Sequence, residues 1–242
     1  MNLHAIAATL LVFAAAQAHA ATPITHVAIY RGPAGCADCS QNVKAALLRL
    51  DPHYQIDFVG ADEPVDITPQ TLARYDLYVQ PGGGQDIPAA LDSLGDARAD
   101  AIRDYVAGGG RYLGLCMGAY LADDNNLGLI TQDLDSEAGR PGFEVSGIED
   151  AAVRVTWDGK PDTVFYQDGP YFPKATTSAY TTLATYQNGD VAAARYTYKK
   201  GVVVLSGPHP EAGQAWFEDA DIPLDKMPRG NLFGTLIRSV QE

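Results

Sequence analysis

Asp96-Ala-Arg-Ala-Asp-Ala-Ile102-Arg-Asp-Tyr105-Val106-Ala107-Gly108-Gly-Gly110-Arg-Tyr112-Leu-Gly114-Leu115-Cys116-Met117-Gly118 is the stretch that decides the fold. Ala99, Ile102, Tyr105 and Val106 fall on one face at helical spacing, so Asp96–Ala107 reads as an amphipathic helix. Gly108–Gly110 stops it, because glycine enters the conformations that end helices without steric cost. Tyr112–Leu115 is then a short apolar strand that runs straight into Cys116, with another helix expected at once. A helix that feeds a short buried strand is half of a crossover unit, and crossover units build parallel sheets.

The same rhythm extends upstream. Ile24–Tyr30 is a β-rich run ending in Arg31-Gly-Pro-Ala-Gly35, and Val43, Ala46, Leu47 and Leu50 give helical spacing over Asn42–Leu50. Tyr54–Val59 and Leu77–Gln80 read as further strands, the second stopped by Pro81-Gly82-Gly83-Gly84. Downstream the character changes. Ala152–Trp157, Thr163–Tyr166, Thr181–Tyr186 and Val191–Tyr198 alternate and read as antiparallel strands. Gly201–Ser206 is a continuous apolar run, as expected of a strand buried on both faces, and Asn231–Val240 is a closing amphipathic helix. The fold class predicted is α/β: a mostly parallel sheet with helices on both faces and added antiparallel strands in the middle segment. No repeat or linker divides residues 21–242, which read as one domain.

Composition excludes several functions. The 242 residues carry 30 acidic side chains against 17 Lys plus Arg, a net charge of −13, with 46% hydrophobic residues. That is globular rather than disordered. It also lacks the basic footprint that a nucleic-acid backbone or an anionic membrane needs. Residues 1–20 hold an apolar run and end in Ala18-His19-Ala20, the pattern of a cleaved secretory signal peptide, so a periplasmic or secreted location is expected. No later stretch is long and apolar enough to span a membrane.

The cysteines are three: Cys36, Cys39 and Cys116. For an exported chain, the economical arithmetic is a local Cys36–Cys39 disulfide and one thiol left over at Cys116. The alternatives for the pair are two free thiols, a redox switch, a cross-link to Cys116 or a metal pair. Zinc would need two more ligands, and no metal or cofactor is predicted.

Gly114-Leu115-Cys116-Met117-Gly118 follows the logic of a nucleophile elbow, in which flanking glycines allow a sharp turn that lifts the central side chain above the strand end. The helix start beside it favours an anion, and the thiolate is the reactive form of cysteine. Gly207-Pro-His209-Pro-Glu211 follows the apolar run Gly201–Ser206, and parallel strands gather their carboxyl ends in one crevice. His209 can there serve Cys116 as general base, with Glu211 holding the imidazole tautomer. The N–H groups of Gly83 and Met117 are candidate oxyanion donors. The structural readings stand beside these: a small buried cysteine in a tight turn, a histidine packed between prolines, and an ordinary glycine turn. His26 and His53 read as structural or surface residues.

Taken together, Tyr30-Arg-Gly-Pro33, Gln80-Pro-Gly-Gly-Gly84, Gly114-Leu-Cys-Met-Gly-Ala-Tyr120, Gly169-Pro-Tyr-Phe172 and Gly207-Pro-His-Pro-Glu211, in that order, resemble the class I glutamine amidotransferase superfamily. Within it the sequence is most similar to the family of the biotin–protein ligase N-terminal domain, over nearly all of residues 21–242. The resemblance implies a flavodoxin-like sheet, a Cys116–His209–Glu211 triad and a substrate pocket near Tyr30, Gly82, Tyr120 and Tyr171. Two departures matter. Glutamine-hydrolysing members carry Gln four residues after the nucleophile, where this chain has Tyr120, which argues against free glutamine. The nucleotide loop of the biotin-transferring domain and a fused synthase are both missing from the sequence, so neither biotin ligation nor ammonia channelling is expected. The expected activity is cysteine-dependent hydrolysis of an amide or acyl bond in a small molecule or peptide. The rival is a non-catalytic binding module on the same fold; a peptidase-like member of the superfamily is a third reading.

Overall fold

The computed structural model describes residues 23–36, 38–174 and 180–242. The predicted signal peptide, residues 1–20, lies outside the described residues.

Among the described residues, eleven strands and seven α-helices form, most of them at the predicted places. β1 (His26–Tyr30), α1 (Cys39–Leu50), β2 (Gln55–Val59), α2 (Pro69–Leu72), β3 (Leu77–Gln80), α3 (Ile87–Leu94), α4 (Asp96–Ala107), β4 (Arg111–Leu115) and α5 (Met117–Tyr120) form the first half. The second half holds β5 (Asp135–Ser136), β6 (Ala151–Trp157), β7 (Lys160–Tyr166), β8 (Pro170–Tyr171), β9 (Tyr180–Tyr186), β10 (Val191–Tyr198), β11 (Gly201–Ser206), α6 (Gln214–Asp219) and α7 (Leu232–Gln241). The short helices α2, α3 and α6 go beyond the predicted elements. They begin at Pro69 after Thr68, at Ile87 after Asp86, and at Gln214. Thr68 and Asp86 cap the first two with side-chain oxygens, a signal too local for hydrophobic periodicity to show.

The main sheet has the order β2-β1-β3-β4-β11-β10-β9-β6-β7. β2, β1, β3, β4 and β11 pair in parallel, and β10, β9, β6 and β7 extend the sheet through antiparallel ladders. β5 and β8 form a separate two-stranded ribbon. Helices cover both faces. Val43 and Leu47 of α1 and Leu236 and Val240 of α7 pack into one core layer. Leu72, Leu94, Ile102 and Ala119 of α2 to α5 pack into the other. Burying a Leu, Ile or Val side chain contributes roughly 1.5–3 kcal/mol each, so these two layers hold the crossover helices onto the sheet.

Register places the chemistry. Leu115 pairs with Ser206, and Gln80 pairs with Gly114. The residues that follow β3, β4 and β11 therefore leave the sheet side by side at one carboxyl rim: Pro81–Gly84, Cys116 and Gly207–Glu211.

Candidate active site

Cys116 is the first residue past β4, and its backbone lies at φ 50°, ψ −110°. Positive φ in a residue with a Cβ costs on the order of 1–3 kcal/mol and persists only where its surroundings fix it. They do so here through close backbone contacts. A Cβ on Gly114 would sit 2.4 Å from the carbonyl oxygen of Gly118, and one on Gly118 would sit 2.1 Å from that of Gln80. The glycines on either side of the cysteine thus let α5 dive against β3. The Cys116 N–H donates to the Ser206 carbonyl at 2.8 Å, and the Tyr112 hydroxyl donates to the Gly118 carbonyl at 2.7 Å. The helix after Cys116 is one turn long, shorter than the elbow pattern leads one to expect.

His209 reaches the same place from β11. Its N–H donates to the Phe165 carbonyl at 2.8 Å, and the Ser206 hydroxyl donates to the Pro208 carbonyl at 2.7 Å. The imidazole packs edge-on against Phe165 and Trp216 and is 3% exposed. Nδ1 lies 2.8 Å from Oε1 of Glu211, itself fully buried. Burial alone drives the His209 pKa down. The opposing charges of Cys116 and Glu211, with the hydrogen bond to Glu211, outweigh it and raise the value to about 10. The fold therefore favours an imidazolium between sulfur and carboxylate.

Gly82 and Gly83 form the facing wall. A Cβ on Gly82 would meet Cε1 of His209 at 2.7 Å and Sγ of Cys39 at 3.3 Å; one on Gly83 would meet the Met117 side chain at 2.4 Å. Two cavities of about 210 Å³ each open on either side of this loop. One is lined by Cys116, Met117, Gly83, Tyr120, Ser136 and Asp168. The other is lined by His209, Phe165, Trp216, Asp150 and the Cys36–Cys39 pair, with Gly83 and Gln167 shared between them. Cys116, though only 7% exposed, thus faces a cavity rather than the sealed interior.

The sequence-predicted residues separate into two groups. Cys116, His209, Glu211, Gly83, Met117 and Tyr120 gather at the rim, with Gly82 backing the imidazole. Tyr30 and Tyr171 line neither cavity. The Tyr30 ring is buried and its hydroxyl accepts the Ala34 N–H, so it shapes the turn after β1. Tyr171 pairs with Asp135 in the β5–β8 ribbon and lies beneath the Arg140 guanidinium, 3.6 Å from the ring centre. Cys36 and Cys39 are joined as a disulfide, and Cys116 is the free cysteine. Among the described residues, no group of three His, Cys, Asp or Glu is placed to hold a metal ion.

Sequence reading missed the segment after β7. Gln167 accepts a hydrogen bond from Sγ of Cys116 through its carbonyl at 3.4 Å. Asp168, at φ 47°, accepts the Tyr120 hydroxyl on its carbonyl at 3.1 Å and the Ser136 hydroxyl on its carboxylate at 2.6 Å. β7 is the far edge of the sheet, yet Phe165 bridges back to His209. The available signal was the break of alternation at Tyr166, just before Gly169-Pro170-Tyr171-Phe172.

Residues 25–147 match the family described as biotin-protein ligase, N terminal. An uncharacterized protein of Chlamydia muridarum (strain MoPn / Nigg) is 33% identical over 160 residues, 56% of this chain and 60% of that protein. A cobyric acid synthase of Acaryochloris marina (strain MBIC 11017) is 27% identical over 172 residues, 71% of this chain and 30% of that protein. The chain thus spans less than two thirds of the length of either relative. Among solved structures, a glutamine amidotransferase from Thermotoga maritima superposes with a TM-score of 0.59 at 16% identity, covering 91% of this chain and all (100%) of that one. The fold is that of the class I glutamine amidotransferases.

Proposed function

The chain belongs to the biotin-protein ligase N-terminal family, and from that premise we propose that it is a cysteine-dependent hydrolase of an amide or related acyl bond. The observation that carries this reading is the buried His209–Glu211 pair at 2.8 Å, delivered to the same carboxyl rim of the sheet as Cys116. In the proposed reaction the Cys116 sulfur attacks the acyl carbon from the cavity shared with Tyr120 and Ser136. The N–H groups of Gly83 and Met117 receive the oxyanion; removing one such donor typically costs about 10²–10³ in rate. His209 passes its proton to the leaving amine, which departs into the cavity lined by Phe165 and Trp216. Water, deprotonated by the then neutral His209, releases the acyl group from sulfur.

Tyr120 supports a substrate other than free glutamine. Its ring occupies the cavity wall where glutamine-hydrolysing relatives carry Gln, and its hydroxyl is committed to the Asp168 carbonyl. Biotin transfer is not part of the proposal. Export is, and the Cys36–Cys39 disulfide supports an oxidising compartment.

The test is a mass-spectrometric screen of amides and peptides against the wild type and Cys116→Ala, alongside iodoacetamide labelling. The expectation is a product formed only by the wild type, and labelling of Cys116 that slows about 100-fold in His209→Ala. Labelling at the rate of an ordinary thiol, unchanged by His209→Ala, would overturn the hydrolase and leave a binding module.

A further inference from the structure

We propose that Cys36 and Cys39 form a thiol–disulfide exchange centre, a second activity that does not depend on the acyl chemistry of Cys116. The disulfide sits at the N-terminus of α1, whose first residue is Cys39. Its two sulfurs are unequal. Cys39 is 3% exposed and packs toward Gly82, whereas Cys36 is half-buried. The Cys39 N–H, free of any intrahelical acceptor in the first turn, donates to Sγ of Cys36 at 3.0 Å. An amide aimed at sulfur from a helix start stabilises the thiolate there. The outer cysteine thus holds the charge, and the inner one is placed to resolve.

Both cysteines line the cavity of about 210 Å³ walled by Phe165 and Trp216. Asp38, Asp150 and Asp219 line the same cavity. Aromatic walls accept a peptide, and the three carboxylates disfavour an acidic one, so the partner class is a neutral or basic peptide bearing two cysteines. Stabilisation is a weak account of this cross-link. It joins residues three apart, and closing so short a loop removes less entropy from the unfolded chain than closing a long one.

The exchange balances as follows. A thiolate of the peptide attacks Sγ of Cys36; the Cys36–Cys39 bond breaks, and its electron pair leaves on Sγ of Cys39, which takes a proton. The second peptide thiolate attacks its own sulfur in the mixed disulfide, releasing Cys36 as the thiolate held by the Cys39 N–H. The peptide dithiol is oxidised by two electrons and the protein disulfide is reduced by two. Re-oxidation by another peptide or small-molecule disulfide runs the same steps in reverse.

The experiment uses the oxidised full chain carrying Cys116→Ser, which removes the third thiol, and a short lysine-containing peptide with two cysteines. Reaction is followed by acid quench and mass mapping. Reduction at least ten-fold faster in the folded chain than in the same chain unfolded in urea, with the trapped peptide on Cys36, is expected. A folded disulfide that reacts no faster than the unfolded one, or a peptide carried on Cys39, overturns the assignment.

Discussion

Nδ1 of His209 lies 2.8 Å from Oε1 of Glu211, and neither side chain has more than a trace of contact with solvent. The carboxylate's other oxygen, Oε2, has no hydrogen-bond partner among the described residues. The imidazole is therefore the only hydrogen-bond partner of the Glu211 side chain among them, and breaking a buried charge pair by removing one member costs about 3–5 kcal/mol. A pair held at that cost fixes the orientation of the ring, with Nδ1 on Glu211.

Glu211→Gln keeps the shape and removes the charge. The expected outcome is a His209 pKa well below about 10, read by NMR titration of the imidazole. Labelling of Cys116 should slow by about 10² or more, since the equivalent change in a serine protease triad costs about 10⁴. An imidazole titration that does not move removes Glu211 from the charge relation.

Gly82→Ala places a methyl 2.7 Å from Cε1 of His209, whose ring is held by Glu211, Phe165 and Trp216 and has little room to retreat. We expect near-native circular dichroism, an unfolding free energy lowered by the roughly 1–3 kcal/mol of a local overpacking, and Cys116 labelling reduced at least ten-fold. Native labelling kinetics would mean that the imidazole is not poised by this loop.

Gly118→Ala drives a Cβ to 2.1 Å from the Gln80 carbonyl oxygen, a backbone atom of β3 that cannot swing aside. Destabilisation of more than about 3 kcal/mol is expected, at the upper end for overpacking. Gly84→Ala is the contrast, because nothing lies within 4 Å of its Cβ position; it should stay within about 0.5 kcal/mol of the wild type. Urea melts of the two variants decide it.

Glu137, fully buried and resting on Asn188 Nδ2 at 2.6 Å, has its pKa raised to about 7, chiefly because burial disfavours the carboxylate. A folded pKa above the unfolded one contributes stability that is complete below pH ~4.5 and is lost as pH rises through ~7, in total about 3 kcal/mol. The urea midpoint of the wild type should therefore fall between pH 5 and pH 8 relative to that of Glu137→Gln, in which this component is absent. Parallel pH profiles for the two proteins would show that Glu137 stays ionised in the fold.

Much of this molecule was written in local pattern. The spacing of Ala99, Ile102 and Val106, the stop at Gly108–Gly110 and the apolar run Gly201–Ser206 returned α4, β4 and β11 almost to the residue. Hydrophobic periodicity reports which face a segment buries, and that is decided within a few residues. The parts of the site that ride on strand ends, Cys116, His209 and Glu211, were readable because parallel strands deliver their carboxyl ends to one rim.

What the chain alone could not reveal is which distant loops close over that rim. Tyr30 and Tyr171 sat in the matching sequence blocks, yet one folds under its own turn and the other is covered by Arg140. Gln167 and Asp168, in no predicted role, come to Cys116 and Tyr120 because the edge strand β7 bends back to bridge His209. A side chain's face follows from its neighbours in sequence. Its partner across the site depends on strand order and sheet curvature, which arise only when the whole core is packed.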